Sequence, residues 1–169
     1  MDGTASPVSQ GVFYRELDGT AILRFNVYGT PKPKARPRVV RNPKTNFVHT
    51  YTPATTVNWE QTIVWHAKQY MAALSVEDPE AALRMPYTGR IMADVRFNVV
   101  KPKSAPKSVH FPMKAQPGDV DNLAKSVLDA LQIAGVIQDD KTVTDLSTAK
   151  RFVSEGHDEG VEIELTVCF

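Results

Sequence analysis

Residues 118–141 read GDVDNLAKSVLDALQIAGVIQDDK, and this run decides how the chain folds. Leu123, Val127, Leu128, Leu131 and Ala134 recur at helical spacing, which predicts an amphipathic helix of about three to four turns. Gly135 stands where a left-handed helix terminus is wanted, and Asp139 and Asp140 turn the chain into a strand predicted over 143–153. Working outward, Ile91, Ala93, Val95, Phe97 and Val99 alternate with Met92, Asp94, Arg96 and Asn98, the clearest period-two strand in the chain. Val161, Ile163, Leu165, Val167 and Phe169 alternate with Glu162, Glu164 and Thr166, and Leu23, Phe25 and Val27 with Arg24 and Asn26, giving two more half-exposed strands. Residues 154–160, with Gly156 and Gly160, make the turn before the last strand.

Trp59, Ile63, His66, Ala67, Tyr70 and Leu74 predict a long helix beginning near Pro53, with Thr52 as N-cap. Trp59, Trp65 and His66 are expected to pack in the core rather than to bind a ligand, and none of the four histidines has ligand or triad spacing. Residues 77–87 read as a connection holding a short helix. The order is therefore β-α-β-α-β-β, an α/β (α+β) fold with two main helices packed on a mixed sheet. Residues 1–20 are weakly patterned and are expected to form a flexible arm before a single domain over 21–169.

The composition excludes several classes. With 42% hydrophobic and 23% charged residues over 169 positions, the chain has the usual mix of a soluble globular domain. It has no apolar run of the roughly 18–20 residues a membrane span needs, and the first ten residues lack a signal-peptide pattern. We expect no membrane partner and a cytoplasmic location. Cys168 is the only cysteine, so an intrachain disulfide and a multi-cysteine zinc site are excluded. The formal net charge is +1, but its distribution is uneven. Lys32, Lys34, Arg36, Arg38, Arg41 and Lys44 lie among prolines in an acid-free stretch over 31–50, expected to be an extended basic loop. Lys101, Lys103, Lys107 and Lys114 form a second. Tyr51 and Phe47 beside the first are candidates for base stacking.

Directly after the second basic stretch the sign reverses, with Asp119, Asp121, Asp129, Asp139, Asp140 and Asp145 relieved only by Lys125 and Lys141. Four of them have a plain structural reading: Asp119 or Asp121 as a helix cap, Asp139 and Asp140 as a turn, and Asp121 also as a partner of Lys125 at i, i+4. A cap needs one carboxylate, however, and Asp119 and Asp121 stand two apart at one helix start. Like charges converging within about 4 Å cost about 4 kcal/mol at an effective dielectric near 20, more than one cap and one such pair return. A divalent cation resolves the conflict, and all-oxygen ligation favours Mg²⁺, with Mn²⁺ as a substitute, over zinc or copper. Mg²⁺ commonly shares its shell with phosphate, Lys125 one turn on adds a cation for developing charge, and basic flanks suit a polyanion.

The run Asp119-Val120-Asp121-Asn122, with Lys125, Asp129, Ala134-Gly135-Val136 and Asp139-Asp140, resembles the signature of the RusA family of Holliday-junction resolvases, often phage or prophage encoded. Upstream, Pro31-Lys32-Pro33-Lys34-Ala35-Arg36-Pro37-Arg38 and Tyr51-Thr52-Pro53 are similar to the opening of its phage-type members, so the resemblance runs from about Leu23 to the C-terminus. It implies a Mg²⁺-dependent endodeoxyribonuclease of DNA recombination and repair, a homodimer that binds four-way junctions and nicks two strands symmetrically. Residue by residue, it implies Asp119, Asp121 and Asp140 as metal-binding catalytic carboxylates, Lys125 as the catalytic lysine, Asp139 as a supporting acid of the metal set, and Asn122 as a structural residue. The arm and the 77–87 connection exceed the family core. Two other readings remain open: a catalytically silent branched-DNA-binding protein, and a nucleotide-sugar transferase using Asp119 and Asp121, which leaves Asp139 and Asp140 unexplained.

Overall fold

A computed structural model describes residues 11–15, 19–36, 38–113, 117–153 and 158–168. Strand β2 (Thr20–Tyr28) pairs antiparallel with β7 (Gly160–Cys168), and β7 pairs antiparallel with β5 (Ile91–Val99). The strand β6 (Val143–Phe152) joins the other side of β5 in parallel, which requires a crossover; helix α3 (Val120–Ala134) supplies it. The strand β1 (Val12–Arg15) pairs with the outer edge of β2, completing the order β1-β2-β7-β5-β6. The fold is thus the expected mixed sheet with two main helices, α1 (Ala54–Glu77) and α3, to which a short α2 (Pro79–Leu83) is added.

Register explains the core. Leu23 lies beside Leu165 and Leu165 beside Ala93; Phe25, Ile163 and Val95 make the next row, and Val27, Val161 and Phe97 the next. These rows are buried under Trp59, Ile63, Ala67, Tyr70 and Leu74 of α1 and Leu123, Val127 and Leu131 of α3. Each such Leu, Ile, Val or Phe contributes about 1.5–3 kcal/mol on burial. On the opposite face Arg24 meets Glu164, Arg96 meets Asp94, and Arg151 meets Glu162. Exposed pairs of this kind contribute about 0–1 kcal/mol each, so the helix-covered face carries the stability. Among the described residues no helix is long and apolar enough to cross a membrane.

Four local expectations change. First, the stretch 31–50 is not one extended loop: β3 (Arg38–Arg41) and β4 (Val48–Tyr51) form an antiparallel hairpin. The Asn42 side chain accepts the Lys44 N–H at 3.0 Å and Asn46 takes a left-handed φ of 56°, so the turn closes despite Pro43. Second, Pro53 rather than Thr52 is the N-cap of α1; its ψ of 137° leaves its carbonyl to accept from Thr56 at 3.0 Å. Third, Trp65 is 53% exposed, because it lies about 200° around α1 from Ile63, off the buried stripe. Fourth, Val12–Arg15, inside the stretch expected to be an arm, is a paired strand, while residues 1–10 and 16–18 lie outside the described residues. Trp59 and His66 are buried as expected, and burial lowers the His66 pKa, keeping it neutral.

Candidate active site

Helix α3 starts at a crowded corner. Gly118 has a φ of 143°, and a Cβ there would stand 2.7 Å from Pro33 Cγ, so the backbone reaches this position only as glycine. The Lys150 ammonium of β6 donates to the Gly118 carbonyl at 2.7 Å, which brings the returning strand alongside the helix start. Residues 31–36 lie along the first turns of α3 as a strap. The Lys34 N–H donates to the Asn122 carbonyl at 2.8 Å, the buried Ser126 hydroxyl lies 3.1 Å from the Lys32 carbonyl, and Thr56 of α1 donates to the Pro33 carbonyl at 3.3 Å.

At this corner Asp119 is the N-cap by position but makes no side-chain capping hydrogen bond, and Asp121 sits in the first turn. Both are exposed. The helix dipole favours carboxylates at this end by about 0.3–1 kcal/mol each, which partly offsets their repulsion. The Asp121–Lys125 pair allowed by sequence spacing is not made. Lys125 turns the other way, to Asp129 Oδ1 at 3.0 Å and to the Asp140 carboxylate. The second oxygen of Asp129 lies 2.9 Å from Lys34 Nζ, and Lys34 reaches Glu60 of α1 at 2.8 Å. The result is an alternating chain, Glu60–Lys34–Asp129–Lys125–Asp140, that ties the strap, both helices and the turn before β6 together.

The charges agree with this geometry. The Asp140 and Asp129 hydrogen bonds raise the Lys125 pKa, so it is an ammonium at neutral pH and acts as a donor and positive charge rather than a base. Burial works against the charge on Lys34, but Glu60 and Asp129 outweigh it and raise its pKa. Burial alone would raise the Asp129 carboxyl, whereas Lys34 and Lys125 hold it below the usual carboxylate range. Asp139 is lowered chiefly by the Lys141 N–H; it accepts that bond at 3.0 Å as N-cap of the 3-10 turn Asp140–Thr142.

The other cations named from sequence divide into groups. Lys32 sits in the strap, half-buried, and Arg36 at its exposed end. Arg41 and Lys44 are exposed on the hairpin beside Phe47 and Tyr51, which are 67% and 41% exposed. Arg38 is on β3. Lys103 and Lys107 are exposed in the loop after β5, and Lys114 lies outside the described residues. Sequence reasoning gave no role to Glu60, Lys150 or Ser126. Glu60 carried a signal: it falls on the buried stripe of α1 with Ile63, Ala67 and Leu74, where a carboxylate requires a cation.

Among the described residues no three His, Cys, Asp or Glu side chains converge to hold a metal ion. The donor chemistry at the α3 start nevertheless suits a hard cation, since Asp119 and Asp121 offer exposed carboxylate oxygens that pair with no cation among the described residues, and Lys125 one turn on holds the Asp140 carboxylate.

No curated protein matches the sequence. A family model described as endodeoxyribonuclease RusA matches residues 28–166, from the end of β2 through the strap, the hairpin and α3 into β7, and the chain therefore belongs to the RusA endodeoxyribonuclease family.

Proposed function

We propose that the protein is a Mg²⁺-dependent, structure-selective endodeoxyribonuclease that resolves four-way DNA junctions by paired, symmetric nicks, acting as a homodimer in phage or bacterial recombination and repair. One observation carries the chemistry: α3 presents the exposed carboxylates of Asp119 and Asp121 at its start and, one turn on, the Lys125 ammonium bonded to Asp140. Asp119, Asp121 and Asp140 would hold Mg²⁺, with Asp139 in support. The bound ion would polarise a phosphoryl oxygen and lower the pKa of a water nucleophile. Lys125 donates to the non-bridging phosphate oxygens as negative charge builds on them. Arg36, Arg41, Lys44, Lys103 and Lys107 hold the phosphodiester backbone of the arms. A two-fold dimer presents two such sites to two equivalent strands.

The bond between Lys125 and Asp140 supports a second reading, a branched-DNA-binding protein without cleavage, because it occupies a proposed ligand. One gel separates the two. A labelled four-way junction and a matching linear duplex are incubated with the protein in Mg²⁺ or EDTA, beside Asp121→Asn. Paired nicks in the junction alone, dependent on Mg²⁺ and lost in the variant with binding retained, are expected. Tight junction binding with no nicking in Mg²⁺ or Mn²⁺ establishes the silent reading, and cleavage retained by Asp121→Asn removes that residue from the site.

A further inference from the structure

We infer that Asp129 is a positioning residue whose two carboxylate oxygens aim Lys125 at Asp140 and, through Lys34 and Glu60, lock the basic strap against both helices. The inference rests on the nuclease reading above and assigns Lys34 away from the DNA. Asp129 Oδ1 is 3.0 Å from Lys125 Nζ and Oδ2 is 2.9 Å from Lys34 Nζ, so one carboxylate serves two cations, one per oxygen. Lys34 uses a second of its three donors on Glu60, a buried carboxylate of α1, at 2.8 Å. A phosphate reaching Lys34 would displace two carboxylates already at bonding distance. Its backbone N–H is also committed, to the Asn122 carbonyl in the first turn of α3. Lys34 is therefore a strut between the α3 face that carries Lys125 and the Glu60 position of α1. Asp129 touches neither DNA nor the reacting phosphate; it acts through Lys125. Without its charge the two ammonium groups lose their shared partner, and Lys125 retains only Asp140 to direct a long, freely rotating stem.

The test separates rate from binding. Wild-type protein, Lys34→Met, Asp129→Asn and Asp129→Glu are assayed for junction affinity over a salt series and for single-turnover nicking at saturating protein in Mg²⁺. Lys34→Met and Asp129→Asn are expected to slow nicking at saturation by about 10–100-fold, the usual loss for a group supporting an active-site ligand. Junction affinity and the slope of its salt dependence should stay at the wild-type values, and Asp129→Glu, which restores the charge and both oxygens, should recover most of the rate. Loss of about one unit of salt slope in Lys34→Met with an unchanged saturated rate makes Lys34 a phosphate contact and overturns the inference. If Lys34→Met melts below the assay temperature, the Asp129 pair decides: an unimpaired Asp129→Asn, or an Asp129→Glu no faster than Asp129→Asn, overturns it. Wild-type protein that binds junctions but nicks none of them defeats the nuclease reading itself, and the inference with it.

Discussion

The two halves of the basic stretch 31–50 look alike in sequence and behave differently in the fold. The first half, the strap of residues 31–36, is half-buried along α1 and α3, with backbone bonds to Asn122 and Ser126 and its Lys34 tied to two carboxylates. The second half folds into the β3–β4 hairpin, on which Val39, Val40, Val48 and Tyr51 are all exposed. A two-stranded hairpin without a covering layer is marginal in water, so this one draws little stability from the body of the protein, and its Arg41 and Lys44 are exposed with no ion pair to a described residue.

The contrast breaks most visibly at Gly118. Gly118→Ala places a methyl 2.7 Å from Pro33 at a φ of 143°, whereas Gly135→Ala, at a φ of 82°, meets nothing within 4 Å. Backbone strain alone costs about 1–3 kcal/mol at either site. Urea unfolding should show Gly118→Ala losing more than Gly135→Ala, the excess reporting the seated strap. Equal losses would mean that the strap lifts away without cost. A smaller probe of the same contact is Ser126→Ala, expected to lose about 1 kcal/mol in urea midpoint analysis because it removes the hydroxyl that the Leu123 carbonyl at 2.8 Å and the Lys32 carbonyl at 3.1 Å share.

How far these differences were legible follows from which partners are local. Alternation in 91–99 and 161–167 gave the central strands with their buried faces, and Gly135 marked the end of α3, because period and cap are short-range properties. The hairpin was hidden by its prolines and charge, although Val39-Val40 and Phe47-Val48 on either side of Asn42 and Asn46 carried a strand and turn pattern. At the site, the spacing of Asp119, Asp121, Lys125 and Asp140 was readable as a motif, and the structure brings Lys125 and Asp140 together. The direction Lys125 takes was not readable: nothing along the chain says that Lys34, 26 residues from Glu60, would prefer carboxylates to phosphate. Nor does sequence reveal that Lys150 returns to the Gly118 carbonyl.

Acid sharpens the comparison on the strap side. Burial alone would raise the Asp129 carboxyl, and Lys34 and Lys125 bring it below its usual value. A depressed folded-state carboxyl adds stability above the unfolded value, roughly pH 3.9, and that stability is lost as pH falls through the lower folded value. The advantage of wild-type protein over Asp129→Asn, read from urea midpoints, should therefore be full at pH 5 and should shrink steadily toward pH 2. An advantage constant across that range would show that Asp129 is not held by charge.

The least destabilising changes belong to the hairpin, where they carry the most information about DNA. Arg41→Gln and Lys44→Gln remove exposed cations that make no ion pair with a described residue, so unfolding free energy should stay within about 0.5 kcal/mol of wild type. Each cation that neutralises a phosphate releases counterions, so each substitution should lower the log–log salt slope of junction binding by about 0.9. Lys34→Met should show the opposite pattern, reduced stability with an unchanged slope, because its charge is already spent on Glu60 and Asp129. Measured side by side, the three variants turn the division of one basic stretch into two numbers per residue, a midpoint and a slope. A hairpin variant that moves the midpoint and leaves the slope alone would place the DNA elsewhere, on the Lys103 and Lys107 loop.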